Sequence, residues 1–127
     1  MIKTDNLHQP LIDIQNHLYH VSAYIASQEN EKYLKEPKYE DILENLIDEM
    51  EEELPPLKHF INPGGCVEAA HLQVARTIAR RVERKYVTYS KEKSGTYLKF
   101  FNRLSDFFFV ASRYVNHIKN LDDKLAK

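Results

Sequence analysis

Two short stretches concentrate the residues whose types and spacing suit chemistry. Arg76, Arg80 and Glu83 stand at i, i+4 and i+7, which on a helix sets two guanidiniums and one carboxylate along a single stripe. Paired guanidiniums can grip a polyphosphate through bidentate, charge-assisted hydrogen bonds. The same spacing also suits a surface ladder of ion pairs, and spacing alone favours the ladder. Asn102, Arg103 and Asp106 form a polar cluster among aromatic residues. Buried, such groups need partners; exposed, Arg103 and Asp106 make an ordinary i,i+3 pair. Other chemistries find less support. His17 and His20 lack a third ligand at metal-binding spacing, so no metal site is expected. Cys66 has no local base, and reads as a helix-start residue. No Ser-His-Asp order, P-loop or dinucleotide fingerprint occurs.

These clusters need rigid carriers, and the periodicity supplies helices. With Gly at 3 positions and Pro at 5, the breaks are few and readable. A first helix is expected from about Pro10 to Gln28, because Leu11, Ile14, Leu18, Val21 and Ile25 repeat at alternating intervals of three and four. Pro37 opens a second, with Tyr39, Ile42, Leu43, Leu46, Met50 and Leu54 as its apolar stripe, and Pro55-Pro56 stop it. Its C-terminal end carries Asp48, Glu49, Glu51, Glu52 and Glu53, charges that oppose the helix dipole and call for a basic partner on the third helix or a neighbouring subunit.

The turn Asn62-Pro63-Gly64-Gly65 precedes a third helix from about Cys66 to Ser90. It has two apolar faces, Leu72, Ala75, Ala79, Val82 and Tyr86 on one and Val67, Ala70, Val74 and Ile78 on the other, as if it were contacted on two sides. Gly95 ends that region, and Thr96 is the expected cap of a fourth helix from about Tyr97 to Leu121. Its two stripes are Tyr97, Phe101, Leu104, Phe108, Ala111, Val115 and Ile118, then Phe100, Phe107, Tyr114 and Leu121. One of them faces either a broad core or another subunit or flat ligand. No convincing strand is seen. The expected fold is all-α, an antiparallel four-helix bundle forming one domain over residues 1–127.

Composition bounds the function classes. A chain of 127 residues with 43% hydrophobic and 29% charged residues is globular. Its longest apolar run, Phe107 to Ala111, is far short of a bilayer span, so no membrane partner is expected. Net charge is -1, so nucleic acid attracts the molecule weakly, despite the basic run Arg76, Arg80, Arg81, Arg84 and Lys85. The start shows no apolar signal region, and one cysteine allows no internal disulfide. Both fit a cytoplasmic protein.

Three stretches together carry a resemblance. They are Lys58-His59-Phe60-Ile61-Asn62-Pro63-Gly64-Gly65, Val74-Ala75-Arg76-Thr77-Ile78-Ala79-Arg80-Arg81-Val82-Glu83-Arg84, and Phe101-Asn102-Arg103-Leu104-Ser105-Asp106-Phe107-Phe108-Phe109-Val110, the last running on through Ser112-Arg113-Tyr114-Val115-Asn116. They resemble the F-I-x-P-G-G, V-A-R-T-x-x-R-R-x-E-R and N-R-L-S-D-x-x-F signatures of ATP:cob(I)alamin adenosyltransferases of the propanediol-utilisation type. Ile14-Gln15-Asn16-His17-Leu18 is similar to that family's I-Q-x-x-L helix.

The resemblance implies a homotrimer of helical bundles with sites between subunits. Each site would move the 5′-deoxyadenosyl group of ATP, taken with Mg2+, onto cobalt(I) of cobalamin and release triphosphate. It implies that Arg80 and Asn102 act catalytically on bound ATP with Glu83 in support. Arg76 would form an ion pair near the corrinoid, Phe60 would exclude the lower axial base, and Phe109 would line the corrinoid pocket.

Departures accompany the match. The family's glycine-rich G-D-x-G-x-T stretch and its V-D-E-L-N helix have no counterpart in this sequence, and with them goes the aspartate that would pair with Arg76. Gln73 stands where a histidine is usual, and Cys66 where a serine or threonine is usual. The family's C-terminal tail over the corrinoid is absent or short. Backbone N–H groups of a glycine-rich loop contribute strongly to phosphate binding, so ATP affinity is expected to be weak unless another chain supplies them. Two readings stay open. One is an adenosyltransferase; the other is a truncated, non-catalytic relative that binds corrinoid, ATP or an adenosyltransferase subunit.

Overall fold

In a computed structural model, residues 7–34, 39–55, 61–62, 65–93, 95–119 and 124–125 are described. Four helices dominate: α1 His8–Ala26, α2 Tyr39–Glu51, α3 Val67–Ser90 and α4 Leu98–Ile118, with a short 3-10 turn Glu31–Tyr33 after α1. The bounds differ from the periodic pattern by at most three residues, as frayed ends do. The expected opening of α2 at Pro37 and the stripe position Leu121 lie outside the described residues. One feature departs from the strandless expectation: Ile61–Asn62 pairs antiparallel with Lys124–Leu125.

The bundle is built around α4, which packs against both α3 and α2. Its position explains the two aromatic stripes. Phe101, Leu104, Phe108, Ala111 and Val115 are buried on one side, and Phe100, Phe107 and Tyr114 are completely buried on the other. Both stripes are core of this one chain, so neither is left for a flat ligand. Fully burying a large apolar side chain contributes roughly 1.5–3 kcal/mol, and α4 carries more such residues than any other helix. From α1, His17 stacks on Tyr39 of α2 at 5.0 Å between ring centres and meets the Phe100 ring edge-on at 4.6 Å. The histidine first weighed as a metal ligand is thus an aromatic packing residue.

Three local expectations change. In α2, Ile42 is exposed, and Ile47 joins Leu43 and Met50 in the core instead. The acidic end of α2 meets α4 rather than α3. Arg113 Nη2 donates to the Pro55 carbonyl at 2.9 Å, placing a cation at the negative helix end, and the Tyr114 hydroxyl donates to Glu53 Oε2 at 2.9 Å. At the start of α4 the cap position is Tyr97, with no side-chain cap bond; its backbone N–H donates to the buried Tyr86 hydroxyl at 3.1 Å.

The second apolar face of α3 stays open. Val67, Ala70, Val74 and Ile78 are exposed, Val67 by 67%, and so is Val82 at the border of the first face, so within the described residues α3 is covered from one side only. Its N-terminus is nonetheless well held. Gly65 takes φ +96°, a region costly for any residue with a Cβ. That turn delivers the Cys66 N–H to Asn116 Oδ1 at 3.0 Å, so a side chain from the end of α4 caps α3.

Candidate functional site

The candidate residues lie along one edge of the α3–α4 contact. Gln73 Nε2 donates to Ser112 Oγ at 2.8 Å. The Arg76 guanidinium sits 5.1 Å from the centre of the Phe109 ring, a cation–π contact. Asn102 Nδ2 donates to Glu83 Oε2 at 3.2 Å. Three residues up α3 match three down α4, and seven up match seven down, as two antiparallel helices of equal rise require. Arg80 falls between the second and third of these cross-links. Its guanidinium is exposed and has no hydrogen-bond or ion-pair partner among the described residues.

The two readings of each cluster are thereby separated. A closed ion-pair ladder on α3 would tie Arg76 or Arg80 to Glu83; instead Glu83 is taken by Asn102, Arg76 by an aromatic face, and Arg80 is left open to solvent. On α4 the simple pair exists, Arg103 Nη1 to Asp106 Oδ2 at 3.3 Å. It belongs to a larger network, since the same Arg103 nitrogen donates to Asn102 Oδ1 at 2.6 Å and Arg103 Nε donates to Glu44 Oε1 of α2 at 2.8 Å. Hydrogen bonds from Arg103, then Lys99, hold the Glu44 carboxyl below its ordinary range, and Glu44 in turn pushes the Arg103 guanidinium up. Both shifts favour the charged forms of the pair.

Phe60, the aromatic expected under the corrinoid, lies outside the described residues. The expected partner of Arg76 was a carboxylate; among the described residues it is the Phe109 ring, so those two corrinoid-site candidates touch. Glu44 and Ser112 join these contacts without having been singled out by the sequence. Glu44 and Ser112 are met across a helix interface, and spacing within one helix carries no signal for such contacts.

An apolar cleft of about 900 Å3 lies between α1 and α3, walled by Leu11, Ile14 and Leu18 on one side and His71, Leu72 and Ala75 on the other. None of the candidate polar residues lines it. Among the described residues no group of three or more His, Cys, Asp or Glu side chains could hold a metal ion, and no helix is long and apolar enough to cross a membrane.

The arrangement sets the exposed Arg80 beside the Arg76–Phe109 contact along one edge of the bundle. The family model described as cobalamin adenosyltransferase matches residues 1–115. The chain belongs to the cobalamin adenosyltransferase family. It is 39% identical over 122 residues to a corrinoid adenosyltransferase of Bacillus subtilis, covering 94% of this chain and 63% of that protein. A mouse corrinoid adenosyltransferase is 34% identical over 128 residues, of which 94% of this chain and 54% of the relative are covered. The chain thus spans between half and two thirds of the length of these relatives. A variant PduO-type ATP:corrinoid adenosyltransferase of Lactobacillus reuteri, complexed with cobalamin and ATP, superimposes with a TM-score of 0.87 at 35% identity, over 100% of this chain and 73% of that one. A second variant of it, complexed with ATP, gives a TM-score of 0.86 over 98% and 73%.

Proposed function

We propose that this chain is an ATP:cob(I)alamin adenosyltransferase, one bundle domain that binds ATP and a corrinoid as substrates. The observation that carries the reading is the spacing along the α3–α4 edge. The Arg76–Phe109 contact and the Glu83–Asn102 hydrogen bond bracket an unengaged Arg80, in a chain of the cobalamin adenosyltransferase family.

In the reaction the electron pair of cobalt(I) forms a bond to C5′ of ATP. The C5′–O bond breaks, and triphosphate leaves with its electrons. Cobalt(I) is a strong nucleophile, so no general base is needed and the protein supplies position and charge. Arg80 is assigned to the triphosphate, whose leaving charge a guanidinium stabilises by paired hydrogen bonds. The Asn102 carboxamide, oriented by Glu83 and Arg103, is assigned to the nucleotide, with Glu83 supporting it. Phe109 and Arg76 are assigned to the corrinoid side, and Phe60 to exclusion of the lower axial base. Magnesium enters this reading as the companion of the triphosphate.

Self-association into a homotrimer with sites shared between subunits is part of the reading. Support comes from the exposed stripe Val67, Val74, Ile78 and Val82 on α3, an apolar surface of the kind that marks an interface. Light scattering that finds only monomer at micromolar concentration would remove the shared-site geometry. The unpaired Cys66 fits a reducing cytoplasm as the place of action.

The test is an absorbance-monitored assay of the purified chain with ATP, magnesium and chemically reduced cobalamin. Light-sensitive adenosylcobalamin forming above the protein-free control, and lost in Arg80→Ala at unchanged helix content, is the expected result. No product at protein concentrations comparable to substrate overturns the enzymatic reading. Saturable corrinoid or ATP binding without turnover then identifies a carrier or assembly partner.

A further inference from the structure

We propose that Glu44 of α2 is a positioning residue for the nucleotide site: acting through Arg103, it fixes the Asn102 carboxamide with its oxygen turned inward and its NH2 presented to Glu83 and to a hydrogen-bond acceptor on the nucleotide. The inference rests on the reading of Asn102 as a nucleotide contact and adds to it a residue on a different helix.

The argument follows the donors and acceptors. A carboxamide has two ends of similar size and opposite character, and an exposed asparagine on a helix can present either. Here the oxygen is claimed by Arg103 Nη1 at 2.6 Å, which leaves the NH2 facing Glu83 Oε2 at 3.2 Å. The reversed orientation would set the amide oxygen against the Glu83 carboxylate and the NH2 against a guanidinium, with no hydrogen bond at either end. The orientation is therefore decided by where the Arg103 guanidinium lies.

Arg103 is the chain neighbour of Asn102, so its guanidinium must be held sideways across the helix surface to reach Oδ1. Glu44 supplies that hold. Its Oε1 accepts from Arg103 Nε at 2.8 Å and is itself approached by Lys99 Nζ at 3.3 Å. Asp106 reaches only the Nη1 that already serves Asn102, at 3.3 Å, and does not engage Nε. The shortest contacts to Arg103 are thus those that aim it, one to Glu44 and one to Asn102.

A purely stabilising role explains less. The Arg103 and Glu44 side chains are 33% and 36% exposed, and an ion pair that open to water contributes little to stability. Its consequence is geometric: α2, which carries none of the nucleotide-site candidates, is coupled to the α3–α4 edge through a single guanidinium.

The first readout needs no nucleotide. In nitrogen-15 spectra of the full chain, Glu44→Gln is expected to shift the Asn102 side-chain NH2 signals and speed their exchange with water, with helix content and Tm unchanged. Unmoved Asn102 signals overturn the proposal. The second readout is ATP affinity by calorimetry, with magnesium, in a double-mutant cycle of Glu44→Ala and Asn102→Ala. Glu44→Ala alone is expected to weaken binding about 3- to 10-fold, and to have no further effect once Asn102 is alanine, because it acts through that residue. Glu44→Asp is expected to restore part of the loss. Additive losses in the double variant, or no loss in Glu44→Ala while Asn102→Ala weakens binding, refute the role of Glu44 alone. Unchanged affinity in Asn102→Ala refutes the nucleotide-site reading and the inference with it.

Discussion

Helices α3 and α4 lie side by side and are spent differently. In α4 nearly every position from Phe100 to Val115 is buried, and even Arg113, Ser105 and Ser112 are enclosed. In α3 the buried positions reduce to Ala69, Leu72, Ala79 and Tyr86, while Val74, Ile78 and Val82 stay exposed beside Arg80. α4 supplies the largest share of the core, and α3 turns more of its apolar surface outward. Apolar residues are frequent in both, so their presence alone does not separate the two helices. What separates them is the number of neighbours: α4 has a helix on each side, and α3 has α4 alone in close contact.

The sharpest way to break this contrast is at its extremes. Phe107→Ala empties a fully buried site and is expected to destabilise the fold by about 3–5 kcal/mol in urea unfolding, because the surrounding helices relax only partly into the cavity. A loss below about 1 kcal/mol would mean that α4 is not the central helix. The joint between the two helices comes next. In Gly65→Ala the new Cβ would overlap the Asn116 carboxamide at a backbone φ of +96°, displacing the cap of α3. The expected cost is about 1–3 kcal/mol, with loss of protection of the Cys66 amide in hydrogen exchange.

Tyr114→Phe removes the hydroxyl that bonds Glu53, at an expected cost of about 1 kcal/mol. It should also alter the alkaline limb of stability. Burial first, then the bond to Glu53, raises the Tyr114 phenol to about 12, and burial likewise raises that of Tyr39 to about 12. A folded value above the unfolded one means that each contribution is complete below pH about 10 and fades as pH rises through about 12. The variant should therefore lose less stability than the parent over that window in thermal melts. The smallest effect is predicted on the open face of α3. Ile78→Asn, made at a 46% exposed position, should change unfolding free energy by no more than about 0.5 kcal/mol at low protein concentration. A larger loss there would show that this face is already covered, and the contrast with α4 would fail.

The same contrast explains what could be read from the sequence. Helix existence, approximate bounds and helix order were legible, because a period near 3.6 and the Gly and Pro punctuation are local properties. The candidate residues Arg76, Arg80, Glu83, Asn102 and Phe109 stand out by motif, and the structure places four of the five in contacts across the α3–α4 edge. The wiring between helices was not. That Glu53 would meet Tyr114, that Asn116 would cap α3, and that Glu44 would hold Arg103 depend on which helices become neighbours and in what register. Likewise Ile42 and Ile47 are equivalent by hydropathy, and only the direction from which α4 approaches α2 leaves one exposed and buries the other.

The sequence by itself determined four helices, most of their apolar stripes, and a signature dense enough to place the chain in its family. Tertiary structure alone decided that both stripes of α4 face inward and the second face of α3 outward, and that among the described residues Arg80 stays unengaged while Arg76 and Glu83 find partners. The physical reason is that periodicity fixes which residues share a face. Which face is buried, and which charge is left for a ligand, follows only from the packing of one helix against the next.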